Sequence, residues 1–257
     1  MSRTLICFVT HIWTRQCDEF LVFAGRHLRE HVCLLIFKAA ALSPMGRSII
    51  SDRCSRNKVI LHIAPTEGYD FDGYIHALNH APIRPISSYS HFIFVNSSVR
   101  ATRPSAYREL LDVLDRDPSI GLVGATINAH FEFYGLEKRL HPHVQSGVFA
   151  FRADLLSLML EHNILSGGPM DKWTTIVRRE IRMSDVVLEH AKLNIAETAG
   201  MYSGVDFRPL YRKPLSITQD PVTNCSLYNT IYFPGNAAQI HELLKQNRLT
   251  FVKVIIP

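Results

Sequence analysis

The chain has 257 residues, 47% hydrophobic and 20% charged, with a formal net charge of +5, which fits an ordinary soluble globular protein built as one large domain around a sizeable core. The charge suits an anionic ligand, but the lysines and arginines are scattered and no basic helix carries interleaved aromatics, so nucleic acid is not the expected partner. Five cysteines, odd in number and without a Cys-x-x-Cys pair, argue against a zinc site and a disulfide framework, and no apolar run approaches the roughly 20 residues of a membrane span, so a cytoplasmic, reducing location is expected.

In chain order, Leu5 to Val9 is a short continuous apolar run and reads as a central strand ending at Thr10, His11 and Trp13. Asp18 then caps a helix through about Arg29, with Leu21, Ala24 and Leu28 on its apolar face, and Val32 to Phe37 is the second strand. This β-α-β opening starts a mostly parallel sheet covered on both faces. Cys7 and Cys33 fall within these strands as small hydrophobes. Ser43 to Arg56, with Pro44, Gly46 and no clear period, reads as a loop, and Val59 to Ile63 as a third strand. Phe71, Tyr74, Ile75 and Leu78 fall at i, i+3, i+4 and i+7, so a helix begins near Asp70, where Asp70 and Asp72 favour the positive end of its dipole.

Phe92 to Val95 is a buried strand running straight into Asn96, Ser97 and Ser98. Polar side chains just beyond the carboxyl end of such a strand are binding-site candidates, although Asn-Ser-Ser also suits a plain turn. Pro104 opens a helix that carries Tyr107, Leu110, Leu111 and Leu114 up to Asp117-Pro118. Ile120 to Ile127 is strand-like, and the His141 to Arg152 stretch ends in a strand followed by helix over 153–160. Trp173 to His190 is helical and Leu193 to Ala196 a short strand. Residues 206–229 are rich in Pro, Ser and Thr and are expected to wrap over the surface. Asn236 then caps a last helix through Ile240, Leu243 and Leu244, before an edge strand from Phe251 to Ile256.

The order of four stretches carries a resemblance. Glu67-Gly-Tyr-Asp-Phe-Asp-Gly-Tyr74 precedes a helix; then come Phe92-Ile-Phe-Val-Asn-Ser-Ser-Val-Arg100, Leu122-Val-Gly-Ala-Thr-Ile-Asn128 and His143-Val-Gln-Ser-Gly-Val-Phe-Ala-Phe-Arg152. Together they resemble a glycosyltransferase-like group that includes rhamnan-synthesis proteins and, more distantly, inverting GT-A glycosyltransferases, over roughly residues 4 to 200. The resemblance implies a Rossmann-like GT-A domain, residues 1–205, with residues 206–257 as a C-terminal extension packed on it. It implies a nucleotide-sugar donor as co-substrate and a glycan or glycoconjugate hydroxyl as acceptor.

It also implies site residues. Thr10 and His11 would lie near the base, and Asp70 is the side chain to reach the nucleoside, beside its competing reading as a helix cap. Asn96, Ser97 and Ser98 stand where these families carry the Asp-x-Asp that holds Mg²⁺ or Mn²⁺. Two neutral positions there favour transfer without metal, the diphosphate being met by donors such as Ser98, Arg100 or a helix N-terminus; metal ligated mainly by the diphosphate is the alternative. His143, Gln145 and Ser146 would shape the sugar and acceptor pocket, or form only a turn into a strand. Glu180 is the best match for the general base, with Asp171 and Asp185 as competitors and a solvated helix face as its bland reading. Two other classes stay open: a nucleotide- or carbohydrate-binding module without catalysis, and another α/β enzyme such as a nucleotidyltransferase, for which the first strand lacks a glycine-rich phosphate loop.

Overall fold

The computed structural model describes residues 3–39, 42–80, 85–128, 139–200, 202–212 and 250–253. The apolar runs become Thr4–Thr10 (β1), Val32–Lys38 (β2), Val59–Ala64 (β3) and His91–Asn96 (β4). Shorter strands follow at Val99–Ala101 (β5), Ile120–Gly124 (β6), Ile127–Asn128 (β7), His143–Val144 (β8), Val148–Arg152 (β9), Asn194–Glu197 (β10) and Phe251–Lys253 (β11). The helices are Arg15–His27 (α1), Pro44–Arg56 (α2), Asp70–His80 (α3), Ala106–Arg116 (α4), Leu156–Glu161 (α5), Lys172–Thr175 (α6) and Arg182–Glu189 (α7). A π-helical segment, Ile176–Ile181, joins α6 to α7.

The main sheet has seven strands in the order β10-β6-β9-β4-β1-β2-β3. β9 runs antiparallel to β4 and β6, and the other pairings are parallel. This is the expected Rossmann-like α/β architecture, a mostly parallel sheet flanked by helices. Helices cover both faces, which is why β1, β2 and β4 are buried along their whole length and read as unbroken apolar runs. Alternation still sorts their side chains. Cys7, Val9, Phe92 and Phe94 pack with α3, α5 and α7, whereas Ile6, Phe8, Ile93 and Val95 pack with α1, α2 and α4. On the first face Phe94 and Phe149 stack across the β4–β9 pair with ring centroids 5.3 Å apart, and Tyr74 of α3 tilts onto Phe94 at 4.8 Å.

Several local expectations are corrected. Residues 44–56 form a helix, not a loop: Ser43 is its N-cap, accepting from the Gly46 N–H, and Pro44 stands in the first turn, where its missing N–H costs nothing. Its period is faint because only Ile50 and Cys54 are buried. The first helix starts at Arg15, three residues before Asp18, behind the cap Thr14, and Asp18 instead pairs with Arg53 of α2 at 2.7 Å. The Ile120 to Ile127 run breaks after Gly124, so that Ile127 pairs with Val144 in a separate β7–β8 ribbon. Helix α6 begins one residue before Trp173, behind the cap Asp171, which accepts from the N–H groups of Trp173 and Thr174. Phe251 starts a strand as expected, but β11 pairs antiparallel with β5, outside the main sheet. The helix proposed after Asn236, and the surface segment beyond residue 212, lie outside the described residues. Up to there the chain is fastened to β10, Asn194 accepting from Phe207 N–H and donating to Val205 C=O. The four described cysteines are buried thiols, and among the described residues no helix is long and apolar enough to cross a membrane.

β3 and α3 share a histidine pair with a consequence for pH. The Nε2 atoms of His62 and His76 lie 2.8 Å apart, so one ring must donate and the other accept. Burial, and then nearby histidines, hold both below the usual imidazole pKa. The unfolded chain therefore takes up more protons than the folded one as pH falls through about 6.5; stability is present above that pH and lost below it. The midpoint of urea unfolding is expected to fall between pH 7 and pH 5, and less so in His76→Gln. A flat profile over that range would show that the pair does not titrate against the fold.

Candidate functional site

The strand order reverses between β1 and β4. The chain passes from β1 to β2 and β3 on one side, and returns to place β4 on the other, opening a crevice at the carboxyl ends of β1 and β4. Ser97 N–H donates to the Val9 carbonyl at 3.0 Å, and Asn96 N–H to the Gly147 carbonyl at 3.1 Å. Because β9 is antiparallel, its first residues meet the last residues of β4 here. Thr10, His11, Asn96, Ser97, Ser98, Gln145 and Ser146 are thus drawn to one end of the sheet.

Asp70 sits at the centre of this end. Its Oδ1 lies 3.1 Å from His11 Nε2, and its Oδ2 accepts from Asn96 Nδ2 at 2.8 Å. The capping duty falls instead on Asp72, whose Oδ2 accepts from the Tyr69 N–H at 2.8 Å, the carboxylate half of a capping box. Two glycines permit this geometry. Gly68 has φ +72°, and a Cβ there would meet the Asp72 carboxylate. A Cβ on Gly73 would stand 2.6 Å from Val9 Cγ1, so only glycine lets α3 approach the end of β1 this closely. The loop before α3 is held by Lys38, at the end of β2, whose ammonium donates to the carbonyls of Glu67 at 2.6 Å and Tyr69 at 2.9 Å. Burial pulls the Lys38 pKa below its usual value, opposed by Asp72 and Asp70.

A second carboxylate arrives from the π-helical segment. Glu180 accepts from Ser146 Oγ at 2.8 Å and from Ser146 N–H at 3.2 Å. Its neighbour Arg179 is fully buried and donates to Asp72 at 2.8 Å and to the Gly168 carbonyl at 2.7 Å. The extra residue in this turn rotates successive side chains out of α-helical register, and such turns concentrate at functional positions. Here Arg179 points into the core toward α3 while Glu180 reaches the β8–β9 connection.

The other expected site residues are less alike. The buried Thr10 hydroxyl donates to the Ile12 carbonyl, a local bond that shapes the turn after β1. Asn96 Oδ1 accepts from both the N–H and the hydroxyl of Ser98, and Ser97 is buried. Gln145 Oε1 accepts from Thr126 Oγ1 at 2.8 Å. His143 is buried and donates through Nδ1 to the His141 carbonyl at 2.9 Å; burial lowers its pKa. Asp185 is buried against His141 Nδ1 at 3.2 Å. Arg100 is not drawn to Asp70 by any hydrogen bond or ion pair: its exposed position on β5 lines a small cavity with Gln16 and Glu19 of α1. Asp72, Lys38 and Arg179 were not singled out as site residues. Lys38, a charge closing an apolar run, and Asp72, an acid at a helix start, leave a trace in the sequence, and Arg179 leaves none.

The β4 end does not fit a protein-held divalent ion. Such ions select several anionic oxygens, whereas Asn96 spends its oxygen on Ser98 and turns its amide nitrogen to Asp70. No group of three or more His, Cys, Asp or Glu side chains able to hold a metal ion is found among the described residues.

No protein-family model and no curated protein matches the sequence. Among solved structures, the chain is similar to CMP:2-keto-3-deoxy-manno-octonic acid synthetase complexed with CTP, at 11% identity and a TM-score of 0.45, over 96% of this chain and 100% of that one. It is also similar to glucosyl-3-phosphoglycerate synthase from Mycobacterium tuberculosis in complex with Mg²⁺ and uridine diphosphate, at 12% and 0.44, over 76% of this chain and 68% of that one. A third, mannose-1-phosphate geranyltransferase from Thermus thermophilus, matches at 12% and 0.39, over 65% of each chain. At these identities and scores the likenesses are distant.

Proposed function

We propose that the protein is a glycosyltransferase that moves a sugar from a nucleotide-sugar donor to a hydroxyl of a glycan or glycoconjugate, with inversion and without a protein-held metal. The observation that carries this reading is the placement of two carboxylates, Asp70 and Glu180, at the strand-order reversal, tied together through Asp72 and Arg179. In this reading Asp70, set between His11 and Asn96, accepts hydrogen bonds from the donor's nucleoside. Glu180, oriented by Ser146, takes the proton of the acceptor hydroxyl as that oxygen bonds to the anomeric carbon. The bond from that carbon to the diphosphate breaks in the same step, and the diphosphate leaves with its electron pair. The Ser98 hydroxyl, which donates to Asn96 Oδ1, is the nearby neutral group that would turn to its charge.

The test is a thermal-shift and calorimetric panel of UDP, GDP, CMP and dTDP, each with EDTA or with Mn²⁺. One nucleotide is expected to bind in EDTA and, at 100 times its dissociation constant, to stabilise the fold by about 2.7 kcal/mol. Asp70→Ala is expected to abolish that shift. Binding only with Mn²⁺ would remove the metal-free part of the reading, and no binding under either condition would remove the donor site. The neutral Asn96-Ser97-Ser98 junction also favours a second reading, a non-catalytic binding module, in which a bound nucleotide sugar is never turned over in the presence of any acceptor.

A further inference from the structure

A cavity of about 490 Å³ is lined by basic side chains: Arg178, Arg182 and Arg212, with His141, His162 and Asn163 beside them. Its size suits a sugar or small glycoside. Asp185 is the single carboxylate in the lining, against three guanidiniums, and it is engaged by His141 Nδ1 at 3.2 Å. Two of the arginines are set in place from behind by Glu189, whose Oε1 lies 3.0 Å from Arg212 and whose Oε2 lies 3.5 Å from Arg182. Arg178 makes no hydrogen bond or ion pair among the described residues. Each guanidinium has five N–H donors, so three of them converging on one cavity leave most of those donors to a ligand, and the forked geometry matches the oxygens of a phosphate or carboxylate.

Two short stretches of chain link the cavity wall to the proposed reaction centre. Arg178 stands two residues before Glu180 in the same π-helical segment, and His141, on the cavity wall, accepts through its carbonyl from His143 Nδ1 at 2.9 Å. We propose that this cavity binds an oxyanion, a phosphate or carboxylate carried by the acceptor, and so selects anionic acceptors. This deepens the glycosyltransferase reading and rests on it: the anionic group anchors in the arginine cavity while a hydroxyl of the same molecule reaches Glu180.

The test is calorimetry on the full chain with inorganic phosphate, glucose 6-phosphate and glucose as probes, alongside the nucleotide that binds best in the panel above. Glucose 6-phosphate is expected to bind more tightly than phosphate, and glucose not at all. Arg178→Gln, an exposed and unpaired position, is expected to weaken the sugar phosphate about tenfold or more while leaving nucleotide affinity unchanged. Arg178→Lys should recover part of that loss. Equal affinity for phosphate and glucose 6-phosphate would make the cavity a free-phosphate site and overturn the acceptor assignment. No saturable binding of either, or binding indifferent to Arg178→Gln, would overturn the anion site itself. If glucose 6-phosphate binds through Arg178 but no nucleotide binds, the glycosyltransferase reading fails, and the acceptor role with it, while the oxyanion site stands.

Discussion

Arg179→Leu is expected to destabilise the folded chain by about 3–5 kcal/mol, the cost of leaving one member of a buried ion pair without its partner. Arg179 is 0% exposed and the Asp72 side chain 9%. With the guanidinium removed, Asp72 would keep, among the described residues, the Tyr69 N–H as its hydrogen-bond partner and the Lys38 charge nearby, and the carbonyls of Gly168 and Ser166 would each lose a donor. In a chain of this size a loss of that magnitude lowers the melting temperature by roughly 6–20 °C. Urea unfolding at pH 7 reads it directly. The paired replacement Arg179→Met with Asp72→Asn removes both charges and keeps an acceptor for Tyr69 N–H, so its loss is expected to be clearly smaller than that of Arg179→Leu. A single replacement costing less than about 1 kcal/mol would show that water reaches the pair and that α3 and the π-helical segment are not fastened to each other through it.

In the proposed transfer reaction, with Glu180 as the base, Glu180→Gln carries the largest expected effect on activity. A general base contributes about 10²–10⁴-fold, and glutamine retains an oxygen for Ser146 but cannot take a proton. Turnover should fall by that factor while nucleotide affinity and the melting temperature stay unchanged. Asp185→Asn is the contrast. Asp185 is buried against His141, so its replacement is expected to lower stability before it touches the chemistry. If Asp185→Asn removes turnover in a folded protein and Glu180→Gln does not, the base is Asp185, and the acceptor hydroxyl must enter from the arginine cavity.

The strands were legible because a sheet covered on both faces needs continuous apolar runs, and Leu5 to Val9, Val32 to Phe37 and Phe92 to Val95 are such runs. The helix at 44–56 was not, because its clearest letters, Pro44 and Gly46, also spell a loop. Only the Ser43 cap and the buried pair Ile50 and Cys54 betray it. The start of α3 was legible from its period, yet not the division of labour between its two acids, which depends on the left-handed turn at Gly68 and on what stands opposite.

What the sequence determined by itself was therefore the long strands, most of the helices and the polar residues that close them: His11 after β1, Asp70 at α3, Asn96 to Ser98 after β4, and Ser146 before β9. Periodicity and capping are local, and they act wherever the chain goes. What only the tertiary structure decided was which of these residues meet. His11 and Asp70 are separated by 59 residues, Ser146 and Glu180 by 34, and Asp72 and Arg179 by 107. No local preference encodes such contacts. They arise because β4 pairs beside β1, because β9 returns antiparallel next to β4, and because a π-helical turn aims Arg179 inward and Glu180 at Ser146. Burial then makes the result specific, since a guanidinium and a carboxylate removed from water are stable only when each finds the other.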